Sequence, residues 1–297
     1  MKKMFCFFFL FLFTVSAWPV TSYETLAKKA ANHYENRAWR ESLAIYDLML
    51  DMKPRVTDVY IQAILASSLL EDNSSVMKYV EGSEKNGIPL EDIFKGVDAK
   101  ARRMSNSGIY ENMLRLIKEK QPWFSKLVNN YLLNFYQFRN DASKTLIIAD
   151  ELLVSSPDNV EYLKAKANAF FILGNDSSAI TIYKNILTVE ATDFDAASFL
   201  GNFYAQQGMD KLRSIDEDFG KISSPTRMQY HDFREQKREV IANEIDSAKI
   251  YLNLAFQQKK TPYLQEVIAQ LESLSDRLPY PAGKTNVFSR IKKSKQE

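Results

Sequence analysis

The chain has 297 residues, 45% of them hydrophobic and 12% aromatic, enough apolar side chain for a substantial packed core. Lys and Arg number 39 against 37 Asp and Glu, so no global field draws in nucleic acid. Cys6 is the single cysteine, which excludes a disulfide framework within the chain, and only nine glycines in this length speak against an all-β fold.

Met1 to Ala17 reads as a cleavable leader. Lys2 and Lys3 precede an apolar run from Phe5 to Val15, and Val15-Ser16-Ala17 offers the small-x-small pattern of a signal-peptidase site. The run is 11 residues, short of the ~20 needed to span a bilayer as a helix. An uncleaved anchor is the other reading. Cleavage removes Lys2, Lys3 and Cys6, which balances the charges at 37 each and leaves no thiol. The expectation is an exported protein, in the periplasm or outside the cell, that relies on packing for stability.

Pro54, Pro89, Pro122 and Pro157 then follow at intervals of 35, 33 and 35 residues. Pro225 lies 68 beyond Pro157, with Ala191 in the middle position. Proline cannot continue a helix, so a regular proline marks where one ends. The rhythm predicts seven helical hairpins: 22–54, 57–88, 91–122, 126–157, 160–191, 194–225 and 228–260. The first carries Leu26, Ala30, Tyr34, Trp39, Tyr46, Leu50 and Pro54 at helical spacing. The second and third keep that periodicity but lose the small residues. Leu132, Leu133, Tyr136, Leu152 and Pro157 mark the fourth.

The fifth and sixth are the most alike. A shift of 34 residues lays Ala167 on Gly201, Asn168 on Asn202, Phe170 on Tyr204 and Gly174 on Gly208. Leu163, Ala167 and Phe170 share one face of a first helix, which Gly174 can end in the left-handed conformation. Asp176 or Ser177 can cap a second helix, whose face is Ala179, Tyr183, Ile186 and Leu187. Ala167 and Ala179 let the two helices approach, and Phe170 and Tyr183 fill the space around them. The sixth copy supplies Leu200, Gly201, Tyr204, Gly208 and Pro225. Its second helix, Met209 to Gly220, lacks the small and aromatic residues.

These residues and this period resemble the tetratricopeptide repeat (TPR) family. That resemblance implies an all-α, right-handed α-α superhelical solenoid of TPR-like helical hairpins, used for protein binding and not for catalysis. The seventh hairpin has a charged stretch, Asp232 to Glu244, before Ala248, Tyr251, Leu252 and Ala255. Residues 261–279 then form a C-terminal capping helix, with Leu264, Val267, Ile268, Leu271 and Leu274 on its apolar face. The remaining residues, 280–297, are basic and read as a disordered tail. The tail can make a weak contact with an anionic surface, or can serve only to keep the chain in solution.

Catalytic residues do not assemble in this pattern. His33 and His231 are far apart in a quasi-linear stack, and Asp216-Glu217-Asp218 points its carboxylates in three directions, so no cofactor or metal is expected. Binding has better candidates. Asn134, Asn168 and Asn202 recur every 34 residues, off the apolar face of first helices, where the resemblance implies a concave groove. A carboxamide both donates and accepts, so such a row could hold an extended peptide, or could bind only water. Lys164 lies one turn before Asn168, and Asn130, Gln137 and Phe171 flank the row. Lys164 and Asn168 resemble part of the family's carboxylate clamp, although Gln229 and Phe233 stand where its basic residues would follow. The expected partner is a protein or peptide, not nucleic acid. A structural role in an envelope complex, through the convex face or the ends, is the alternative.

Overall fold

The computed structural model describes residues 22–101 and 107–277; the expected leader and the basic tail lie outside them. Fourteen α-helices and no strand occur among the described residues. They form two compact units, one up to Tyr131 and one from Leu132 onward.

In the first unit the helices come in antiparallel pairs. These are α1 (Tyr23–Glu35) with α2 (Trp39–Met52), α3 (Thr57–Leu69) with α4 (Asn73–Lys85), and α5 (Leu90–Ala101) with α6 (Ser107–Lys120). Helix α3 is covered on nearly all sides, which explains its run of apolar and small residues from Val59 to Ala66. The hydroxyl of its Tyr60 is satisfied at the edge of this core, donating toward Gly82 O and Pro54 O and accepting from Asn86 Nδ2. A short 3-10 turn, Pro122–Phe124, leads into α7 (Ser125–Phe138), at whose middle the second unit begins.

The second unit continues with α8 (Ala142–Ser155), α9 (Val160–Ile172) and α10 (Asp176–Val189). Four of the turns between paired helices, after α1, α3, α7 and α9, share one backbone design. The residue after the C-cap is left-handed, with φ of 61° at Arg37, 55° at Glu71, 54° at Asn140 and 76° at Gly174. Its N–H bonds three residues back, and the next N–H bonds five back, as in Gly174 N to Phe171 O and Asn175 N to Phe170 O. This is the Schellman closure, which satisfies carbonyls that a helix end would leave bare. Asn175, not Asp176 or Ser177, then caps α10 by accepting from Ser178 N. Ala167 and Ala179 are fully buried between α9 and α10, with Leu163, Tyr183 and Ile186 around them.

Residues 194–225 depart from the expected hairpin. They hold one continuous helix, α11 (Phe194–Gly220), which runs straight through Gly208. Its partner is longer still: α12 (Arg227–Val240), a π turn (Ile241–Ile245) and α13 (Asp246–Gln258) follow one another without a break. The two expected hairpins, 194–225 and 228–260, are therefore one hairpin of double length. Gly201 faces Leu252, Gly208 faces Ile245, Asp216 faces Lys237 and Phe219 faces Phe233, an antiparallel register.

The reason lies in the local residues. After Gly174 comes Asn175, a capping side chain; after Gly208 comes Met209, which offers no cap, so nothing interrupts the helix. Gly208 does not end a helix but thins one. A Cβ there would fall 2.6 Å from Ile245 Cδ1, and at Gly201 one would fall 2.6 Å from Leu252 Cγ. A true break comes only near Pro225, where Thr226 and Gln229 form a capping box for α12. Helix α14 (Pro262–Arg277) closes the unit, burying Leu264, Ile268 and Leu271 while Gln265, Glu266, Gln270 and Glu272 face water.

Candidate functional site

Lys164 occupies the position where a free cation was expected, but its charge is already engaged. Its Nζ lies 2.7 Å from Asp193, 2.9 Å from Asp195 and 3.4 Å from Glu161. Asp193 is buried and also caps α11, accepting from Ala196 N at 2.7 Å. Burial works against the Lys164 ammonium, yet hydrogen bonds to Asp193 and Asp195 outweigh it and raise its pKa above the ordinary lysine value. The side chain thus ties α9 to the start of α11. A peptide carboxylate would have to displace two carboxylates to reach it.

The asparagines are spoken for unequally. Asn168 Oδ1 accepts from Tyr183 Oη at 2.5 Å. Burial pushes the Tyr183 hydroxyl up to about 12, with the Asp195 charge adding to it. Asn202 donates Nδ2 to Ser198 O at 2.8 Å and accepts from Tyr263 Oη at 3.3 Å. Asn134 and Gln137 are exposed on α7. Asn130, on the same helix, belongs to the first unit and bonds back to Lys126 O.

Of the expected contacts, Phe171 and Asn202 line one cavity. A shallow groove of about 560 Å3 runs between the end of α9, the start of α10 and the outer face of α11. Phe171, Phe199 and Phe203 make its apolar surface; Asn202, Gln206 and Gln207 supply amides, and Asp176 and Asp210 carboxylates. The rings support one another. Phe199 stacks on Tyr183 at 4.1 Å, meets Phe171 edge-on at 5.0 Å, and lies parallel to Phe203 at 6.2 Å. Phe171 remains 44% exposed, and Ile172 and Leu173 beside it are exposed as well. An exposed aromatic on a rigid backing, ringed by amides, suits apolar side chains of a polypeptide while bonding its backbone.

Sequence reasoning missed Phe199, Phe203, Gln206 and Gln207. The available signal was two phenylalanines one turn apart, off the face that Leu200 and Tyr204 use for packing. Elsewhere, Asp216 pairs with Lys237 and Asp218 with Lys221, and His231 lies exposed beside Asp232. Among the described residues, no group of three or more His, Cys, Asp and Glu could hold a metal ion.

No family model and no curated protein matches the sequence. Solved structures do match. A Bacteroides ovatus structure assigned to protein binding superposes with a TM-score of 0.52 at 20% identity, covering 76% of this chain and 100% of its own. A tetratricopeptide-repeat protein from Bacteroides fragilis matches at 0.40 and 14% identity, covering 86% of this chain and 99% of its own. A third, a TPR protein from Thermus thermophilus, matches at 0.32 and 13% identity over 59% and 95%.

Proposed function

We propose that this chain, a stack of tetratricopeptide-type helical hairpins, is a non-enzymatic scaffold that binds a polypeptide partner in the cell envelope after export. The observation that carries the reading is the groove on α11. There Phe171, Phe199 and Phe203 face outward on a buried backing, and amide side chains stand along the edge. Stacked hairpins carry no chemistry of their own, so function resides in such surfaces. The likeness to a protein-binding structure supports the same class of role. The leader at Met1 to Ala17 supports export, with the periplasm as the destination.

The test starts from a photocrosslinking residue at Gln206, an exposed position on the groove. The trapped polypeptide is identified, and its binding to purified protein is then titrated. Phe171→Asp places a charge on the apolar surface, and the expected loss is tenfold or more, the scale of a central aromatic contact. Unchanged affinity in a variant that melts like the wild type would remove the groove from the mechanism.

A further inference from the structure

The double-length hairpin carries a second surface that shares no lining residue with the aromatic groove. Arg227, His231, Arg234 and Arg238 recur at steps of four, three and four along α12, which aligns them on one face. Together with Thr226 and Tyr230 they border a cleft of about 400 Å3 that no carboxylate lines.

The charges of this face are largely unanswered. Arg227 and Arg234 are exposed, and among the described residues neither has an Asp or Glu within ion-pair distance. Arg238 gives Nη1 to Glu235, but its Nε–H is buried with no acceptor. On the face itself Asp232 lies against His231 at 3.5 Å, while Asp216 across the hairpin holds Lys237, which leaves Arg227 and Arg234 as its unanswered charges. Arg234 and Arg238 lie one turn apart, and like charges at that spacing repel weakly, a repulsion that opposing negative charge relieves.

We propose that this face binds an acidic, extended segment of a protein partner, laid along α12. The spacing favours a chain over a single anion. Steps of four and three residues advance ~6 and ~4.5 Å along a helix, and the stripe spans roughly 16 Å. Side chains on one side of an extended strand stand ~6.6 Å apart, close to the ~6 Å rise from Arg234 to Arg238, so two alternate acidic residues can meet these guanidiniums and a third can reach Arg227 about 10.5 Å away. Guanidinium groups bind carboxylates in a paired, planar geometry that fixes the segment's direction. The Tyr230 ring, 52% exposed and braced edge-on by Phe219 at 5.2 Å, gives the cleft an apolar wall.

The experiment uses the full mature chain and a fluorescent peptide of alternating glutamate and glycine, titrated by anisotropy at low and moderate salt. The expected result is saturable binding that weakens with salt and falls tenfold or more in Arg227→Glu/Arg234→Glu. Lys28→Glu/Lys29→Glu, an equal charge reversal on exposed residues of α1 that are not part of the stripe, should leave it within about twofold, because only charges that touch the peptide carry the affinity. Arg234→Gln alone should fall between them. Absence of binding, or equal loss in the α1 variant, overturns the proposal. So does binding of phosphatidylglycerol vesicles that depends on the same arginines while the peptide stays free, because the surface is then a lipid contact.

Discussion

Replacing Gly201 by alanine tests the contact on which the long hairpin depends. The added Cβ falls 2.6 Å from Leu252 Cγ and 2.7 Å from its Cδ2. It also falls 2.9 Å from the Leu252 backbone nitrogen, which no change of rotamer can move. Overpacking a dense core costs about 1–3 kcal/mol, and a clash with main chain belongs at the upper end. Against this, alanine favours a helix interior over glycine by roughly 1 kcal/mol. The net loss is therefore ~2 kcal/mol, or a melting temperature lower by roughly 4–8 °C for a unit of this size. Thermal and urea denaturation followed by circular dichroism measure both. Gly208→Ala is the internal comparison. Its tightest contact is Ile245 Cδ1 at 2.6 Å, the end of a side chain that can turn, so gain and cost should nearly cancel. A Gly201→Ala protein as stable as wild type, or a larger loss at Gly208, would refute the close approach of α11 and α13.

Three further substitutions probe the hairpins around the groove. Lys164→Met strands the buried Asp193 carboxylate and should cost about 3 kcal/mol at neutral pH. Because the lysine's pKa is raised in the folded state, this difference should hold from neutral pH up to the unfolded lysine's titration. Above that it should shrink as alkali deprotonates the folded form. Tyr183→Phe removes the bond to Asn168 and should cost about 1 kcal/mol near pH 8. The folded tyrosine keeps its proton up to about 12 while the unfolded one loses it near 10, so wild-type stability falls across that window. The phenylalanine variant should lack Tyr183's share of that decline, so the two pH profiles of the melting temperature should approach and then cross there. Ala179→Arg drives a long cation into a fully buried methyl site and should cost at least ~3 kcal/mol, read as a collapsed melting transition.

The helices up to Val189 were legible where a turn carries a capping side chain or a glycine at the place that period and proline give it, as at Asp72, Asp141, Gly174 and Asn175. The long hairpin was not, because Gly208 has two physical uses that look the same in a sequence. It can end a helix by turning left-handed, or it can thin a helix so that another backbone comes near. What separates the two is the residue after it and the spacing to Gly201, seven positions back on the same face. The site was read in outline only. Lys164 was recognised as a special position, but its partners Asp193 and Asp195 come from the start of α11, two helices on, and have no local signature. Asn168 and Asn202 keep their places, yet their oxygens are taken by Tyr183 and Tyr263, one from another helix and one from the cap.

Four of the hairpin turns are closed by main-chain bonds, and the residue at their left-handed corner is arginine, glutamate, asparagine or glycine by turns. Geometry at those corners is thus uncoupled from side-chain identity. A positive, a negative or a neutral group can be displayed there while the helices on either side keep their register. Each unit therefore has an outer edge whose polarity evolution can rewrite without disturbing the interior, which leaves the scaffold free to change what it meets.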